Sequence, residues 1–596
     1  MKNKNYLKKL SLTAALTGIG MNQAVYADAG SFLTLSNLTA DDIDVIAEAD
    51  STAGANGVTF VDLDGAGTGD DGVYKVITDT TWVAGSNYIL TRPIFVDDGA
   101  TLTIEAGATI YSTFSDLDTP GSQSDDQFGA VVVTRGAKIE ALGSAAQPII
   151  FTTVRELEAA RSTDIDGDGV TINPTRFDRG LWGGVVLLGN ARVYNYTAPG
   201  AANLIGENEI EGFAPAFSPD ADNDGLTDII EYGGNDDADD SGTLRYVSIR
   251  HAGYEFEANQ EVNGLTLGGV GSGTTLEFIE IFANSDDGIE FFGGTVNMKN
   301  ALVAFCKDDA IDIDEGYSGN MQFLAVLQNP TGADSEGNSV QDSDHGGEWD
   351  GNNTGDASDF QAAPTIANLT FIGDNEGDRA FKIDDFFAGR IYNGAVTGFP
   401  DLIEVTSDSV NGDTAVFDNV TTDVPNALPS DNFLSITEAA VASGFTTVAD
   451  VMFTEIDLAN ASFDLRPAAG SPLLTGATTD MEAIDAFFTN TDYQGAFSET
   501  ENWAAGWTGV SELGHFGVIV EGGPLMITSS SFDGTTFTIN FVAEAGASYK
   551  VSQSTTMEGA FTDVAGATLD NAPAAASISF EPAAGTPKLF FRVEKN

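Results

Sequence analysis

Two acidic segments of this chain repeat with a spacing of 22 residues. The stretch at 283–294 reads "ANSDDGIEFFGG" and the stretch at 305–316 reads "FCKDDAIDIDEG". The apolar positions keep the same interval, because Ile281 aligns with Val303 and a further step places Val303 on Ala325. Such a repeat predicts a solenoid, in which each coil buries its apolar face against the next.

Short alternating strands support a solenoid that is built from β-structure. Runs such as "TLTIEAGATIYS" (101–112) and "LRYVSIRHAG" (244–253) end at Gly, Asn or Asp corners, and the chain has 67 glycines. An antiparallel sandwich has no reason to keep a fixed interval, whereas coils of a parallel β-helix stack about 4.8 Å apart. We therefore expect an all-β protein with a right-handed parallel β-helix at 81–430, interrupted by acidic loops.

The segments around the predicted solenoid have different compositions. Residues 1–27 carry lysines, a short apolar run and "AVYA", which predicts a signal peptide and a secreted or cell-surface protein. Residues 28–80 form an acidic, Gly-rich lead-in. Residues 431–520 are expected to cover the end of the solenoid with short helices, and residues 525–596 to form a β-sandwich module. The helices are predicted at Ser435–Val451 and Met481–Phe488.

Charge and cysteine content exclude several classes of partner. The 25 Lys+Arg against 90 Asp+Glu give a formal charge of −65, which repels nucleic acid and anionic lipid. No stretch after the signal approaches a membrane span. The single cysteine, Cys306, leaves no disulfide framework and no N-terminal lipid anchor. The composition fits a soluble exported protein in a saline, cation-rich medium.

Several blocks of the sequence resemble a widespread bacterial family. They include "RGAKIEALGSAAQPIIFT", "RGLWGGVVLLGNARV", "YGGNDDADDSGTLRYVSIRHAG" and "DYQGAFSETENWAAGWT" within about 80–510. The chain is similar to exported, largely uncharacterised proteins of Bacteroidetes and Verrucomicrobia that are expected to form right-handed parallel β-helices. The resemblance implies the fold and a C-terminal β-sandwich module, but no activity. Members are often lipoproteins, and this chain lacks their anchoring cysteine.

The stretch "DADNDGLTDIIE" has the ligand spacing of an EF-hand-type calcium loop. Positions one, three, five, nine and twelve are Asp220, Asp222, Asp224, Asp228 and Glu231, with glycine at position six. No pair of flanking helices is predicted, so we expect a structural calcium clamp rather than a sensor. A weaker candidate repeats only the opening of the pattern, with Asp164, Asp166 and Asp168.

The two Asp-Asp pairs are the strongest candidates for catalysis. One coil apart, Asp286 and Asp287 would lie about 5 Å from Asp308 and Asp309, and each like-charge contact would cost about 3 kcal/mol. A bound cation, exposure to solvent or a raised pKa relieves that repulsion, and glycosidases use a raised pKa. Pectinase-type β-helix hydrolases also stack aspartate pairs. Their downstream glycine–histidine–glycine and arginine–isoleucine–lysine triplets do not occur in this sequence.

A histidine-containing loop is a second candidate. In "QDSDHGGEWDGNN" (341–353), His345 lies among acids and beside Trp349, a possible platform for a sugar ring. A cation-binding or sugar-stacking loop explains the stretch better than catalysis does. The scarce cations Lys307, Arg379 and Lys382 are expected to pair with nearby acids: Asp308, Asp384 and Asp385.

Two functions follow from these features. The calcium loops, the acidic surface and the incomplete catalytic set favour a calcium-stabilised β-helix for polysaccharide or surface binding and adhesion. The stacked carboxylates and the scaffold favour the alternative, a polysaccharide lyase or glycoside hydrolase that acts on acidic polysaccharide along the flank of the β-helix.

Overall fold

A computed structural model describes most of the chain, in two compact units that divide at Ala504–Ala505. The described residues are 45–46, 58–62, 72–84, 87–115, 127–162, 165, 170–194, 205–213, 229–257, 260–352, 360–405, 415–424, 444–516, 527–532, 537–542, 548–554, 562–569, 575–580 and 590–595. The signal peptide expected at 1–27 lies outside them.

Two long sheets build the first unit. Within the described residues, the 17 strands of sheet 1 are Val45–Ile46, Thr80–Trp82, Asn87–Leu90, Thr101–Ile104, Thr109–Ser112, Lys138–Leu142, Ile149–Thr153, Gly242–Arg250, Thr275–Phe282, Asn297–Ala304, Asn320–Leu327, Thr365–Ile372, Arg390–Tyr392, Ala395–Thr397, Val416–Asp418, Val420–Thr422 and Phe445–Thr447. The 11 strands of sheet 2 are Val58–Asp62, Gly72–Val76, Pro93–Val96, Ala130–Val133, Val185–Leu188, Leu265–Gly268, Ile289–Phe292, Ile311–Asp314, Glu348–Trp349, Arg379–Ile383 and Asp401–Val405.

The pairing within these sheets is parallel apart from the first hairpin of sheet 2, Val58–Asp62 with Gly72–Val76. This arrangement confirms the right-handed parallel β-helix. Gly72–Val76 also pairs in parallel with Pro93–Val96, so the first coil begins before the boundary predicted at residue 81.

Smaller antiparallel elements leave the solenoid at its corners. They are a three-stranded sheet (Val193–Tyr194, Ile205–Glu209, Glu231–Gly233) and the hairpins Phe114–Ser115 with Gln127–Phe128, Glu255–Glu257 with Gln260–Glu261, Gly332–Ala333 with Ser339–Val340, and Phe453–Asp457 with Ser462–Pro467.

The register confirms the 22-residue interval and limits it. Ile281 pairs with Val303, as predicted. Val303 then pairs with Val326 and not with Ala325, because the next coil contains one additional residue. The side chains of these positions form an apolar ladder inside the solenoid. Full burial of one such aliphatic side chain stabilises the fold by about 1.5–3 kcal/mol.

A row of left-handed residues bends sheet 1 along its length. One residue on each coil has positive φ at the same position: Tyr246 (49°), Phe278 (55°), Asn300 (61°), Phe323 (62°), Asn368 (56°), Asn393 (57°) and Asn419 (59°). Asparagine tolerates this conformation, but an aromatic residue in it costs roughly 1–2 kcal/mol. We call these seven positions the bend ladder.

Residues 472–503, which we call the strap, run along the bend ladder. Asn368 Nδ2 donates to the backbone carbonyls of Tyr493 (3.1 Å) and Gly495 (3.2 Å), and Asn393 Nδ2 donates to the carbonyl of Thr478 (3.0 Å). The strap therefore follows the side of the solenoid, whereas the sequence predicted a cover over its end.

The two helices predicted for this region are not found in the described residues. The 3₁₀ turns Pro472–Leu474 and Met481–Ala483 are the short helical elements of the strap. Of the helix predicted at Ser435–Val451, the described part contains the strand Phe445–Thr447, which extends sheet 1. Backbone pairing with the preceding coil outweighs the weak helical pattern there.

An eight-residue α-helix that the sequence did not predict braces the solenoid. Val154–Arg161 is capped by the Thr153 side chain, which accepts from the Arg155 backbone N–H. Arg155 forms an ion pair of 3.0 Å with Glu336 at the tip of the hairpin 332–340. The neighbouring Ser335 donates its hydroxyl to Asp178 at 2.6 Å.

The second unit contains the helix Gly509–Glu512 and two three-stranded antiparallel sheets, in keeping with the predicted β module. The strands are Ile527–Phe532, Phe537–Val542 and Ala575–Phe580 in one sheet, and Tyr549–Ser554, Thr562–Leu569 and Phe590–Lys595 in the other. Among the described residues of both units, no helix is long and apolar enough to span a bilayer.

Candidate functional site

The two Asp-Asp pairs occupy the same corner on consecutive coils, as predicted. Asp286 and Asp287 precede the strand Ile289–Phe292, and Asp308 and Asp309 precede the next strand of sheet 2. The Asp309 backbone N–H donates to Asp287 Oδ1 at 2.9 Å. Ligand atoms of Asp287, Asp308 and Asp309 all lie within 4.8 Å of one another, so the carboxylates do form a ladder.

His345 occupies the next rung of this ladder. Its backbone N–H donates to Asp309 Oδ1 at 2.9 Å, and its Nδ1 lies 2.7 Å from the same oxygen. Both residues are 5% exposed. The chain leaves the solenoid after Leu327 and returns at this corner, so a separation of 36 residues along the sequence still gives adjacent rungs.

Surrounding acids keep His345 protonated. Burial lowers the pKa of His345, but the hydrogen bond to Asp309 and the charges of Asp309 and Asp344 outweigh it and raise the pKa to about 9. Asp378, on the following coil, places Oδ2 3.4 Å from Nε2. The imidazole therefore carries a positive charge at neutral pH.

A second acidic column, which sequence reasoning missed, runs beside the first on the outer face of sheet 2. Register places Glu290, Asp312, Glu348, Lys382 and Glu404 in one row on five consecutive strands. Their chain neighbours point into the core, so these side chains point outward. The sequence signal that would have found them is a charged residue directly before a buried apolar residue on each strand; the apolar residues are Phe291, Ile313, Trp349, Ile383 and Val405.

Asp287 of the aspartate ladder adjoins Glu290 and Asp312 of the second column, and the pKa values of all three carboxyl groups are strongly raised. Burial, followed by the charges of Asp312 and Asp286, raises the pKa of Asp287 well above its usual range. Burial also raises the pKa of Glu290 and of Asp312 well above theirs. Oxygens of Asp287, Glu290 and Asp312 lie within 4.8 Å of one another, so these groups hold protons or share a cation.

The cations of the site pair with acids other than those predicted. Lys382 forms an ion pair with Glu348, and Arg379 forms ion pairs with Asp378 (2.9 Å) and Glu404. The predicted partners of these cations were Asp308, Asp384 and Asp385. Burial lowers the pKa of Lys382, but the hydrogen bond that its Nζ donates to Glu348 outweighs burial and raises the pKa.

The structure places a histidine and two cations on the coils that follow the aspartate pairs, although the pectinase triplets are absent from the sequence. The aspartate pairs are followed by His345 on the next coil, and by Arg379 and Lys382 on the coil after it. The sequence does not show this order, because the residues are spaced differently from the two triplets. The histidine is followed by two glycines instead of lying between two, and two residues instead of one separate the arginine from the lysine.

Trp349 does not provide a sugar platform. It is fully buried, it donates Nε1–H to the carbonyl of Ile311 at 3.2 Å, and it packs against Phe371, Phe381 and Phe387. Trp349 is a core residue because it alternates with the outward-pointing Glu348 on its strand.

The described residues do not support Glu231 as the closing ligand of a calcium loop. Glu231 is 1% exposed, begins the strand Glu231–Gly233, and pairs with Arg135. The other proposed ligands lie outside the described residues: Asp220, Asp222, Asp224, Asp228, Asp164, Asp166 and Asp168.

Comparison with known proteins agrees with this architecture. No curated protein matches the sequence. The family model for a pectate-lyase-like β-helix domain matches residues 72–508, which cover the solenoid from the strand Gly72–Val76 onward, both acidic columns and the strap. The chain therefore belongs to the pectate-lyase-like β-helix family.

Proposed function

We propose that the outer face of sheet 2 hydrolyses glycosidic bonds in an acidic polysaccharide. One observation carries the proposal: Asp309, hydrogen-bonded by His345, adjoins carboxyl groups whose pKa values are raised. Glycoside hydrolysis needs one carboxyl group that is protonated and one that is ionised, close to the same bond.

The residues divide into these two roles by their surroundings. Asp312 is partly exposed and its raised pKa keeps it protonated, so we assign it as the acid that protonates the glycosidic oxygen. One oxygen of Asp309 is hydrogen-bonded to both the backbone N–H and the Nδ1 of His345, which fixes its carboxyl group, so we assign it to accept a proton from water. The water oxygen bonds to the anomeric carbon as the glycosidic C–O bond breaks, and both products leave with hydroxyl groups.

The cationic side chains support an acidic substrate. His345, Arg379 and Lys382 lie on two consecutive coils beside the acids, in a chain with a formal charge of −65. A sugar carboxylate would bind at these positions by charge-assisted hydrogen bonds. With the export that the sequence predicts, the substrate is an extracellular uronate-containing polymer.

Calcium-dependent elimination is a second candidate, favoured by the proximity of Asp287, Glu290 and Asp312. Their oxygens fit a hard divalent cation, which would neutralise the carboxylate of a uronate. Elimination also needs an unprotonated base, and both His345 and Lys382 have raised pKa values. Hydrolysis is therefore the better-supported reaction.

The purified protein tests the proposal on polygalacturonate, alginate and neutral polymers. We expect new reducing ends from an acidic polymer without unsaturated uronate absorbance. Asp309→Asn and Asp312→Asn should each lower the rate by roughly 10²–10⁴-fold, the usual contribution of general acid–base catalysis. Glu140→Gln, on sheet 1, is the control and should keep full activity.

Absorbance from unsaturated uronate would replace hydrolysis by elimination. Full activity in both aspartate variants would remove the assigned roles. An absence of cleavage on every polymer would return the site to the binding function that the sequence first favoured.

A further inference from the structure

A groove on the opposite side of the solenoid has no part in the proposed reaction. It lies between the bend ladder of sheet 1 and the C-terminal half of the strap, and its volume is about 650 Å³. Partly exposed aromatic rings line it: Phe278, Phe323, Tyr493 and Trp503. Ligand sites in proteins have volumes of this order.

The aromatic residues stand where the fold prefers asparagine. Four of the seven bend-ladder positions are asparagine and Tyr246 is a third aromatic; Asn368 and Asn393 hold the strap by side-chain hydrogen bonds. Phe278 and Phe323 adopt the same left-handed conformation, which is unfavourable for a bulky residue. Backbone strain that persists at a surface position is the kind of outlier from which a function is inferred.

The rings form flat, supported faces. The rings of Phe278 and Tyr246 stack with centroids 4.3 Å apart and planes 5° from parallel. Trp503 stands edge-on to Phe278 at 6.3 Å and stacks on Phe497 at 5.2 Å. These contacts fix the ring orientations, so the protein would lose little side-chain entropy when a ligand binds to the rings.

Charge around the groove selects against anions. Exposed Asp492 and Glu501 line it, and their carboxylates accept hydrogen bonds from hydroxyl groups but repel a uronate. Lys299, the cation of the lining, donates Nζ to the Phe487 carbonyl (3.0 Å) and to Thr489 Oγ1 (2.8 Å). The lysine is thus used to hold the strap.

We propose that this groove binds a neutral pyranose chain. The C–H faces of the sugar rings would stack on Phe278 and Phe323, and the hydroxyl groups would donate to Asp492 and Glu501. The site is separate from the acidic columns, so it would tether the protein to a neutral polymer whether or not sheet 2 cleaves an acidic one.

Affinity electrophoresis of the full chain through gels that contain xyloglucan, glucomannan, hydroxyethylcellulose or polygalacturonate tests the proposal. We expect a neutral polymer to retard the wild type and polygalacturonate to have no effect through this groove. Phe278→Asn and Phe323→Asn install the residue that the bend ladder uses elsewhere, so the melting temperature should hold while binding falls at least tenfold. Phe278→Tyr keeps the ring and should keep binding.

Three results would overturn the proposal. They are wild-type mobility that no neutral polymer changes, unchanged retardation of both asparagine variants, and retardation by polygalacturonate that Phe278→Asn abolishes. If Phe278→Asn melts at a lower temperature, Phe323→Asn provides the independent measurement, because its ring lies outside the stack of Phe278 on Tyr246.

Discussion

At the scale of single residues, the environment of His345 links its charge to stability. Carboxylates of Asp309, Asp344, Glu348 and Asp378 lie within 4.0 Å of its ring nitrogens, at distances from 2.7 to 3.7 Å. The pKa is about 9 in the folded chain, against about 6.5 in an unfolded one. The protonated imidazole therefore stabilises the fold fully below pH ~6.5, and this contribution is lost as the pH rises through about 9.

We predict that the free energy of unfolding falls between pH 6 and pH 9.5, and that His345→Gln removes up to about 3 kcal/mol of this decrease. Urea denaturation at the two pH values measures the difference. The same pH slope in wild type and variant would show that His345 titrates normally.

Asp350 has the opposite effect on stability, because its surroundings disfavour its charged form. Burial, with the charges of Asp314 and Glu348, raises the pKa of Asp350 to about 9. Because the unfolded chain ionises it near pH 4, this residue destabilises the fold increasingly as the pH rises from there.

We predict that Asp350→Asn increases the free energy of unfolding at pH 7 by about 1–3 kcal/mol, after allowance for its partial exposure. The gain should disappear near pH 4, where Asp350 is protonated in both states. Thermal melts at both pH values check this, with the exposed Asp98→Asn as control. A loss of stability at pH 7 would contradict the assignment.

The sequence predicted part of this site for a simple reason. Asp287 and Asp309 follow the uninterrupted 22-residue interval, so their stacking could be counted. His345 was identified as a candidate, but its partner was not, because an inserted hairpin breaks the count between the two coils. Glu290 and Asp312 were missed because single acids within strands resemble ordinary solvent-facing positions until the register aligns them.

At the scale of secondary-structure elements, Asn368 holds the strap on sheet 1. Its Nδ2 donates to Thr491 Oγ1 and to two strap carbonyls, and its Oδ1 accepts from Gln322 Nε2 at 3.1 Å. The residue is fully buried. Its removal would leave the strap carbonyls without these donors.

We predict that Asn368→Ala lowers the free energy of unfolding by about 2–4 kcal/mol, since several buried hydrogen bonds are lost. Hydrogen exchange should increase in residues 489–495. Asn375→Ala is a matched control, because Asn375 also has positive φ (67°) but is exposed. Equal effects of the two substitutions would assign the loss to backbone conformation instead.

The elements also show where sequence periodicity stops being informative. The alternation of apolar residues predicted the strands of the coils. It did not predict the strand Phe445–Thr447, which pairs with sheet 1 although the sequence pattern there is helical. The helix Val154–Arg161 was missed because its eight residues contain only three that are buried. One additional residue between Val303 and Val326 shifted the predicted register, since a bend absorbs an insertion without a signal in composition.

At the scale of the whole molecule, a formal charge of −65 makes the fold sensitive to cations. The acidic cluster of Asp287, Glu290 and Asp312 is one place where calcium would bind. The sequence predicts a second place in the loop 220–231, most of which lies outside the described residues. Ligand that binds only the folded chain stabilises it by about 2.7 kcal/mol at 100 times its Kd.

We predict that calcium chloride raises the melting temperature by several degrees above sodium chloride of equal ionic strength, and that a chelator reverses the increase. Glu290→Gln should remove the contribution of the cluster, and Asp224→Ala that of the loop. Calorimetry distinguishes the two. If sodium and calcium act alike, neither place holds the ion.

The ion pair between Arg155 and Glu336 joins parts of the solenoid that are separated by three intervening coils. The hydrogen bond from Ser335 to Asp178 reinforces it from the next coil. In an unbraced solenoid each coil contacts only its neighbours, so a pulling force would peel the turns away one after another. Here these two contacts would distribute a pulling force over the coils between the helix Val154–Arg161 and the hairpin 332–340. This middle section would therefore rupture as a block under load.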